Sequence, residues 1–495
     1  MKYKIDWDKY LSKERYRQSK FNKQVTKEVQ EVSTEHRTPF ESDFGRVAFS
    51  SALRRMHDKT QVIPLTSGDS VHTRLTHSIE VMSIAYSLGI DLCRDQDFID
   101  LYKEKAKDYE RDIPMILKTA AFVHDIGNPP FGHFGEDIIQ NFFKKFFRDK
   151  YDKADFYKNE VIREKEKLDF INFDGNAQGF RILTRLQYLG ELAGLNLTYA
   201  TLAAYSKYPN DADICKHYIG TKKHGVFTSE SDVLDKMVDA CGMKREDGTI
   251  KRHPLSFLVE AADSISYYVM DIEDGLSMGW YTYQDIVNTI EDYMKKKNGE
   301  ENYNLYAALN LKKDDNGKDE KMLMCNLRIA LIRYLVNLTI NKFKEHCEEI
   351  DKGIYTKELL EDGDNLAFAL KDFAVKNIFS QRQIEQVELT GYSVLNGLLE
   401  FMTDCVFNTD NKLRSHLKSV FSRTFLKIAK HEDLYHSDVD FDPTLYKYIA
   451  NKEISDLDLK NLRDYTKLRL IVDLISGMTD KFAVDVYRKL SGQRL

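Results

Sequence analysis

The chain has 495 residues, which at about 100–200 residues per domain allows two to four domains or one large domain with insertions. Hydrophobic residues make up 42% and charged residues 31%, so a sizeable core is expected and a fully disordered chain is excluded. A net charge of −6 confines any nucleic-acid site to a local patch.

Only 8 prolines and 24 glycines punctuate the chain, which favours long helices over a turn-rich β architecture. Residues 1–36 mix both charges, show no strand alternation, and read as a helical or extended arm. The opening MKYKIDWDKYLSKERYRQSK has no apolar h-region, so no secretory signal is expected. No uninterrupted apolar run reaches about eighteen residues, so no membrane span is expected either. The cysteines at 93, 215, 241, 325, 347 and 405 stand singly, without a CxxC pair. That pattern excludes a thiolate zinc cluster and a disulfide-dense scaffold, and fits a reducing cytoplasm.

From Arg46 onward, Val47, Phe49, Ala52, Leu53 and Met56 recur at helical spacing beside Arg54 and Arg55. Val71–Leu88 predicts an amphipathic helix closed by Gly89 at C′. Ile113–His124 predicts a buried helix that ends in a Gly/Pro loop, DIGNPPFGHFGE, with a new helix from Glu136 to Phe147. Residues 144–167 interleave nine Lys/Arg and six Asp/Glu with aromatics. They read as a solvated face or exposed excursion, or as a nucleic-acid patch with stacking rings. Further helices are predicted over 179–205 and 254–273. Residues 295–322 look like a surface excursion or boundary, and the pattern stays helical to the C-terminus.

The His124-Asp125 pair carries the first chemical signal. An ionised carboxylate buried beside an imidazole costs several kcal/mol unless a positive partner compensates, and a divalent metal is such a partner. His77 lies within a predicted helix, where a lone histidine is more often a hydrogen-bonded core residue. Asp263, Tyr267 and Asp271 are spaced i, i+4, i+8 on one helix face, and two acids and a phenol there need partners. His133 and Glu136 follow in the loop. Two histidines with two aspartates make an N/O donor set suited to Mn²⁺, Mg²⁺ or Fe rather than structural zinc. Such a site leaves positions open for water and a substrate oxygen. Tyr267 as a core tyrosine, and Gln61 as a loop hydrogen-bonder, remain alternatives.

The order His77, His124-Asp125, Asp263 resembles the HD-domain superfamily of metal-dependent phosphohydrolases. The surrounding text is more specific: RTPFESDFGRVAFSSALRRMHDKTQV (37–62), HTRLTHSIEV (72–81), HDIGNPPFGHFGE (124–136), GNAQGFRILTRL (175–186), LTYATLAAYSKYP (197–209), the 254–275 helix and SGMTDKFAVDVYRKL (476–490). These segments resemble the deoxyguanosine triphosphate triphosphohydrolase family, in its long bacterial form. The resemblance implies an all-α fold with an HD-type core. The expected division is an arm over 1–36, the core over 37–275 and a helical region over 276–495. It implies that His77, His124, Asp125 and Asp263 hold one divalent ion, Mg²⁺ or Mn²⁺ with Fe as a further option. His133 would be the catalytic imidazole, oriented by Glu136. Arg74 would meet the α-phosphate, and Gln61, Tyr267 and Asp271 would surround the deoxyribose. Lys207, Tyr208 and Asn176 would contact polyphosphate or sugar. Arg46, Arg54 and Arg55 are further candidates for phosphate, or else surface ion pairs. The implied reaction splits a dNTP, dGTP foremost, at the α-phosphorus into deoxynucleoside and tripolyphosphate. The implied partners are further copies of the chain, as a hexamer, and a single-stranded DNA or nucleotide effector. The rival readings are another HD nucleotidase or phosphodiesterase, and a non-catalytic nucleotide- or DNA-binding regulator.

Overall fold

The computed structural model describes residues 4–16, 36–61, 72–153, 158, 160–187, 193–211, 223–296, 320–363, 366–378, 380–435 and 457–493. Among them every regular element is helical, and the β pairings are isolated bridges such as Thr60 with Thr73. The protein is all-α, as its glycine and proline scarcity predicts.

The helices that position the site start at strong local signals. Helix α1 (Pro39–Ala48) has Pro at its first turn and a reciprocal capping box between Thr38 and Glu41. Helix α2 (Arg74–Arg94) is capped by Thr73. It packs most extensively on α3 (Ala106–Phe122). Gly89 does not terminate α2. It lies inside the helix, where a Cβ would come 2.8 Å from Pro114 Cα, so the missing side chain lets the two backbones meet. The helical spacing over 47–56 is likewise interrupted. Ser50 caps a separate short helix, Ser51–Arg55, and Phe49 at the break is 85% exposed.

Helix α4 (Gly132–Phe146) begins four residues earlier than the sequence suggests. The stretch 179–205 is not one helix. Helix α5 (Gly175–Arg181) passes into a π turn over Ile182–Leu186, and a separate α6 (Tyr199–Tyr205) starts at the Thr198 cap. Helix α7 (Pro254–Ser277) is buried along most of its length and packs on α2, α3 and α6. Helix α8 (Glu320–Glu345) is long and apolar enough to cross a membrane by length and composition. Here it packs on α7 and α2 and buries Leu327, Leu331, Leu335 and Phe343. Helices α9 (Arg382–Val406), α10 (Asp464–Ser476) and α11 (Asp480–Leu490) follow. The excursion expected over 295–322 lies mostly outside the described residues.

Two apolar clusters form the interior among the described residues. The first takes α2, α3, α6, α7 and α8. It also takes Ile5, Trp7, Tyr10 and Leu11 from the N-terminal segment. Charged neighbours hide that apolar set from a periodicity search. Residues 17–35 of the expected arm lie outside the described residues. The second cluster joins α4 to α9, α10 and α11. Val123 and Ile126 belong to the first and Phe131 and Ile138 to the second, so the loop after α3 bridges both.

Within 144–167, the aromatic rings among the described residues turn inward. Phe146, Phe147 and Tyr151 are buried in the second cluster and offer no stacking face. Lys150 and Lys167 are paired with acids, Asp404 and Asp152 respectively.

Candidate active site

The last residues of α3 and the loop after it bring His124 and Asp125 against α2 and α7. His77 Nε2 lies 3.1 Å from Asp263 Oδ1, and His124 Nε2 lies 3.3 Å from the same oxygen. Ligand atoms of His77, His124 and Asp125 fall within 4.8 Å of one another. The His124 Nδ1–H donates to the Ala121 carbonyl at 2.8 Å, which directs the Nε2 lone pair into the cluster. That Nε2 is buried and has no hydrogen-bond partner. A buried, orphaned imidazole nitrogen facing two carboxylates fits a divalent cation, and the donor set of two nitrogens and two oxygens suits a hard-to-borderline ion.

Electrostatics agree with a cationic occupant. Burial alone would lower the His124 pKa, but Asp125 and Asp263 raise it to about 9. Burial would raise Asp125, but Arg74 and His124 bring it down to about 2. Asp263 is held well below the usual carboxylate range by His124 and His77, against the effect of burial. Arg74 donates directly to Asp125 Oδ2, and Asn128 Nδ2 donates to the other oxygen at 2.7 Å. Arg74 and Asn128 therefore brace Asp125 from its two oxygens.

His133 sits on the first turn of α4, its side chain 78% exposed. Its Nδ1 is 3.0 Å from Glu136 Oε2, and that hydrogen bond raises the imidazole pKa. Glu136 is buried, and its Oε1 accepts the Gly175 N–H at 2.7 Å. A Cβ on Gly175 would lie 2.6 Å from that oxygen and 2.3 Å from Asn128 Oδ1, so only glycine admits the approach. Asp125 and Arg74 both act on the His133 charge, and a Cβ on the adjacent Gly132 would lie 2.6 Å from the Arg74 guanidinium.

The other expected contacts divide. Asp271 is 2% exposed, and burial with the repulsion of Asp274 and Asp263 raises its pKa well above the ordinary value. Asp271 Oδ2 and Gln61 Oε1 are buried without hydrogen-bond partners. Tyr267 is half-buried on the same helix, within reach of the Asp263 and Asp271 charges. Asn176 Nδ2 donates to Asp174, and its carbonyl accepts from Tyr205. Lys207 turns to a buried acid, with Nζ 2.7 Å from Glu260, and Tyr208 is 5% exposed. Arg46 donates to the Leu195 carbonyl.

Several residues escape the sequence reading. Lys223 Nζ lies 3.1 Å from Asp174 and 3.8 Å from Glu136, bringing a cation to the His133 side. Its KKH context carries no pattern. Lys59 is buried and donates to the Asn128 carbonyl at 2.5 Å. Burial and the nearby Arg55 lower its pKa to about 7. Asn128 stands in the HDIGN text, and its place beside Asp125 was the available signal.

Comparison with known proteins gives the same frame. The HD domain matches residues 74–172, and the phosphohydrolase-associated domain matches residues 444–489. The deoxyguanosinetriphosphate triphosphohydrolase-like protein of Listeria monocytogenes is 33% identical over 99% of this chain and 100% of that protein. A protein of the same name from a Synechocystis species is 31% identical over 99% of each chain. The deoxyguanosinetriphosphate triphosphohydrolase of Salmonella typhimurium is 29% identical over 93% of this chain and 95% of its own. HD-domain membership makes this chain a phosphohydrolase with a site for divalent metal, and it belongs to the deoxyguanosinetriphosphate triphosphohydrolase-like family.

Proposed function

We propose that the protein hydrolyses deoxynucleoside triphosphates, dGTP foremost, to the deoxynucleoside and tripolyphosphate. The observation that carries this reading is the exposed His133, buttressed by buried Glu136, beside a His77/His124/Asp125/Asp263 cluster. A divalent ion, Mg²⁺ or Mn²⁺, held by those four residues supplies Lewis acidity toward a phosphoryl oxygen and lowers the pKa of water. Expulsion of the nucleoside leaves an alkoxide at the 5′-oxygen, a poor leaving group near neutral pH. His133 delivers the proton to that oxygen, and Glu136 holds the ring and favours its charged form. Water attacks the α-phosphorus from the opposite side, the P–O5′ bond breaks, and the water oxygen stays on the tripolyphosphate. Arg74 and Lys223 offer positive charge to the triphosphate from the two flanks of His133. Gln61 Oε1 and Asp271, whose burial and acidic neighbours favour its neutral form, offer an acceptor and a donor to a sugar hydroxyl, with Tyr267 against the ring. The names of the relatives favour guanine.

The free cysteines among the described residues suit a reducing cytoplasm. Exposed Leu389 and Tyr392 on α9 and Phe482 on α11 favour self-association, with a hexamer as the expected form. A nucleotide or single-stranded DNA effector is a further expectation of the same reading. The deciding experiment incubates the protein with each dNTP and rNTP plus Mn²⁺ or Mg²⁺ and identifies both products. Release of tripolyphosphate supports the reading. Release of orthophosphate or pyrophosphate alone replaces it with another nucleotidase.

A further inference from the structure

We propose that Asp480, the first residue of α11, is a positioning residue for the loop that carries His133. Its kinetic consequence rests on the triphosphohydrolase reading; its structural basis does not. Asp480 is 3% exposed. Its Oδ1 accepts the Phe131 N–H at 2.9 Å. Its Oδ2 accepts the Thr60 N–H at 3.0 Å and the Thr60 hydroxyl at 2.6 Å. One buried carboxylate thus ties together two segments that are far apart in sequence, and both lie at the site.

Phe131 is the residue that needs such a tie. It has φ +64°, in the left-handed region that a bulky side chain rarely adopts, and it immediately precedes α4. Such a conformation persists where surrounding contacts over-determine it. Two of those contacts come from the C-terminal helices. Asp480 holds the Phe131 N–H, and Gly391 of α9 leaves room for its ring, since a Cβ there would lie 2.8 Å from Phe131 Cγ. The backbone twist at Phe131 sets where His133 emerges two residues later.

The same C-terminal corner reaches the metal side. Ser476, at the end of α10, accepts from Lys59 Nζ at 2.8 Å, and that amine also donates to the Asn128 carbonyl. Asn128 in turn holds Asp125. Thr60, the other partner of Asp480, pairs with Thr73 next to Arg74 and precedes Gln61. The α10–α11 corner therefore holds the catalytic loop at Asn128 and at Phe131, and fixes their spacing.

A carboxylate is required because both oxygens accept. An amide offers one acceptor and would turn its NH₂ toward an N–H of Phe131 or Thr60. The test is Asp480→Asn in the full-length, metal-loaded protein, with Thr60→Val as a milder variant that keeps the carboxylate and removes one donor. Measurements are metal per chain, thermal unfolding, amide hydrogen exchange over 128–135, and kcat and KM for dGTP. Hydrolysis of bis(p-nitrophenyl) phosphate, whose leaving group needs no proton, is followed in parallel. For Asp480→Asn, faster exchange at 131–135 with unchanged metal content is expected. kcat for dGTP should fall about 10- to 100-fold, with KM within about threefold and a smaller loss on the nitrophenyl ester. Thr60→Val should fall between this variant and the wild type. Unchanged exchange, a wild-type kcat, or equal losses on both substrates together with loss of metal would overturn the proposal. Should Asp480→Asn not fold, the same readings on Thr60→Val decide. If the wild type hydrolyses no dNTP, the triphosphohydrolase reading fails, and the exchange comparison alone decides the positioning role.

Discussion

Glu136 reaches His133 Nδ1 with one carboxylate oxygen, at 3.0 Å, while its other oxygen is fixed by the Gly175 N–H at 2.7 Å. The buried acid is anchored from α5, so the exposed imidazole cannot swing freely. The arrangement fixes the tautomer and aims Nε2 outward. His133→Ala should retain metal and lower kcat by about 10²–10⁴, the usual span for losing a general acid, and Glu136→Gln should lose less. Metal analysis beside steady-state kinetics checks this. Loss of metal with kcat preserved in the remaining loaded fraction would make His133 a ligand instead.

Asp125 belongs to the candidate metal cluster and also accepts from Arg74, so its removal should have two effects. Asp125→Ala should abolish stoichiometric divalent metal and turnover together, and leaves the buried guanidinium without its carboxylate. Equilibrium dialysis with Mn²⁺ reads the first effect and a thermal melt the second. A variant that binds one ion per chain and still turns over would remove Asp125 from the ligand set.

Gln61 and Asp271 each present a buried polar atom with no hydrogen-bond partner, and the Asp271 charge acts on Tyr267. Groups of this kind discriminate when a substrate hydroxyl completes them and an ill-fitting analogue does not. The wild type should therefore prefer dGTP to GTP in kcat/KM by about 10- to 200-fold, with the ratio narrowing in Gln61→Ala. Equal kcat/KM for the two nucleotides would contradict the sugar assignment.

The His/Asp cluster and the His133–Glu136 pair were legible because chemistry constrains residue type and spacing: His124-Asp125 cannot be an apolar packing pair, and His133 and Glu136 share one helical turn. Asp263 and Asp271 were legible as acids on an apolar face. Lys59, Lys223 and Asp480 were not, because their roles come from tertiary contacts with carbonyls, a distant acid and a loop N–H. Gly89 was misread for the same reason, since a helix stop and a close helix crossing look identical in one dimension. The N-terminal Trp7 and Tyr10 were hidden by charged neighbours in a segment too short to show a period.

His72 links α2 to α7, with Nδ1 2.7 Å from Asp274 and Nε2 3.0 Å from Glu80. Those hydrogen bonds raise its pKa from 6.5 to about 10. A raised histidine stabilises the fold fully below its unfolded value and loses that contribution as pH rises through the folded one. The stability gap between wild type and His72→Gln should thus be largest below pH 6.5 and close toward pH 10. Urea denaturation of both proteins across that range checks it, and a gap that widens with pH would contradict it.

The most direct test of the proposed chemistry is hydrolysis of dGTP in ¹⁸O-labelled water with Mn²⁺, followed by mass analysis of both products. Attack at the α-phosphorus with His133 protonating the 5′-oxygen predicts equimolar deoxyguanosine and tripolyphosphate, with the label only in the tripolyphosphate. Label in deoxyguanosine, or formation of dGMP with pyrophosphate, would contradict it.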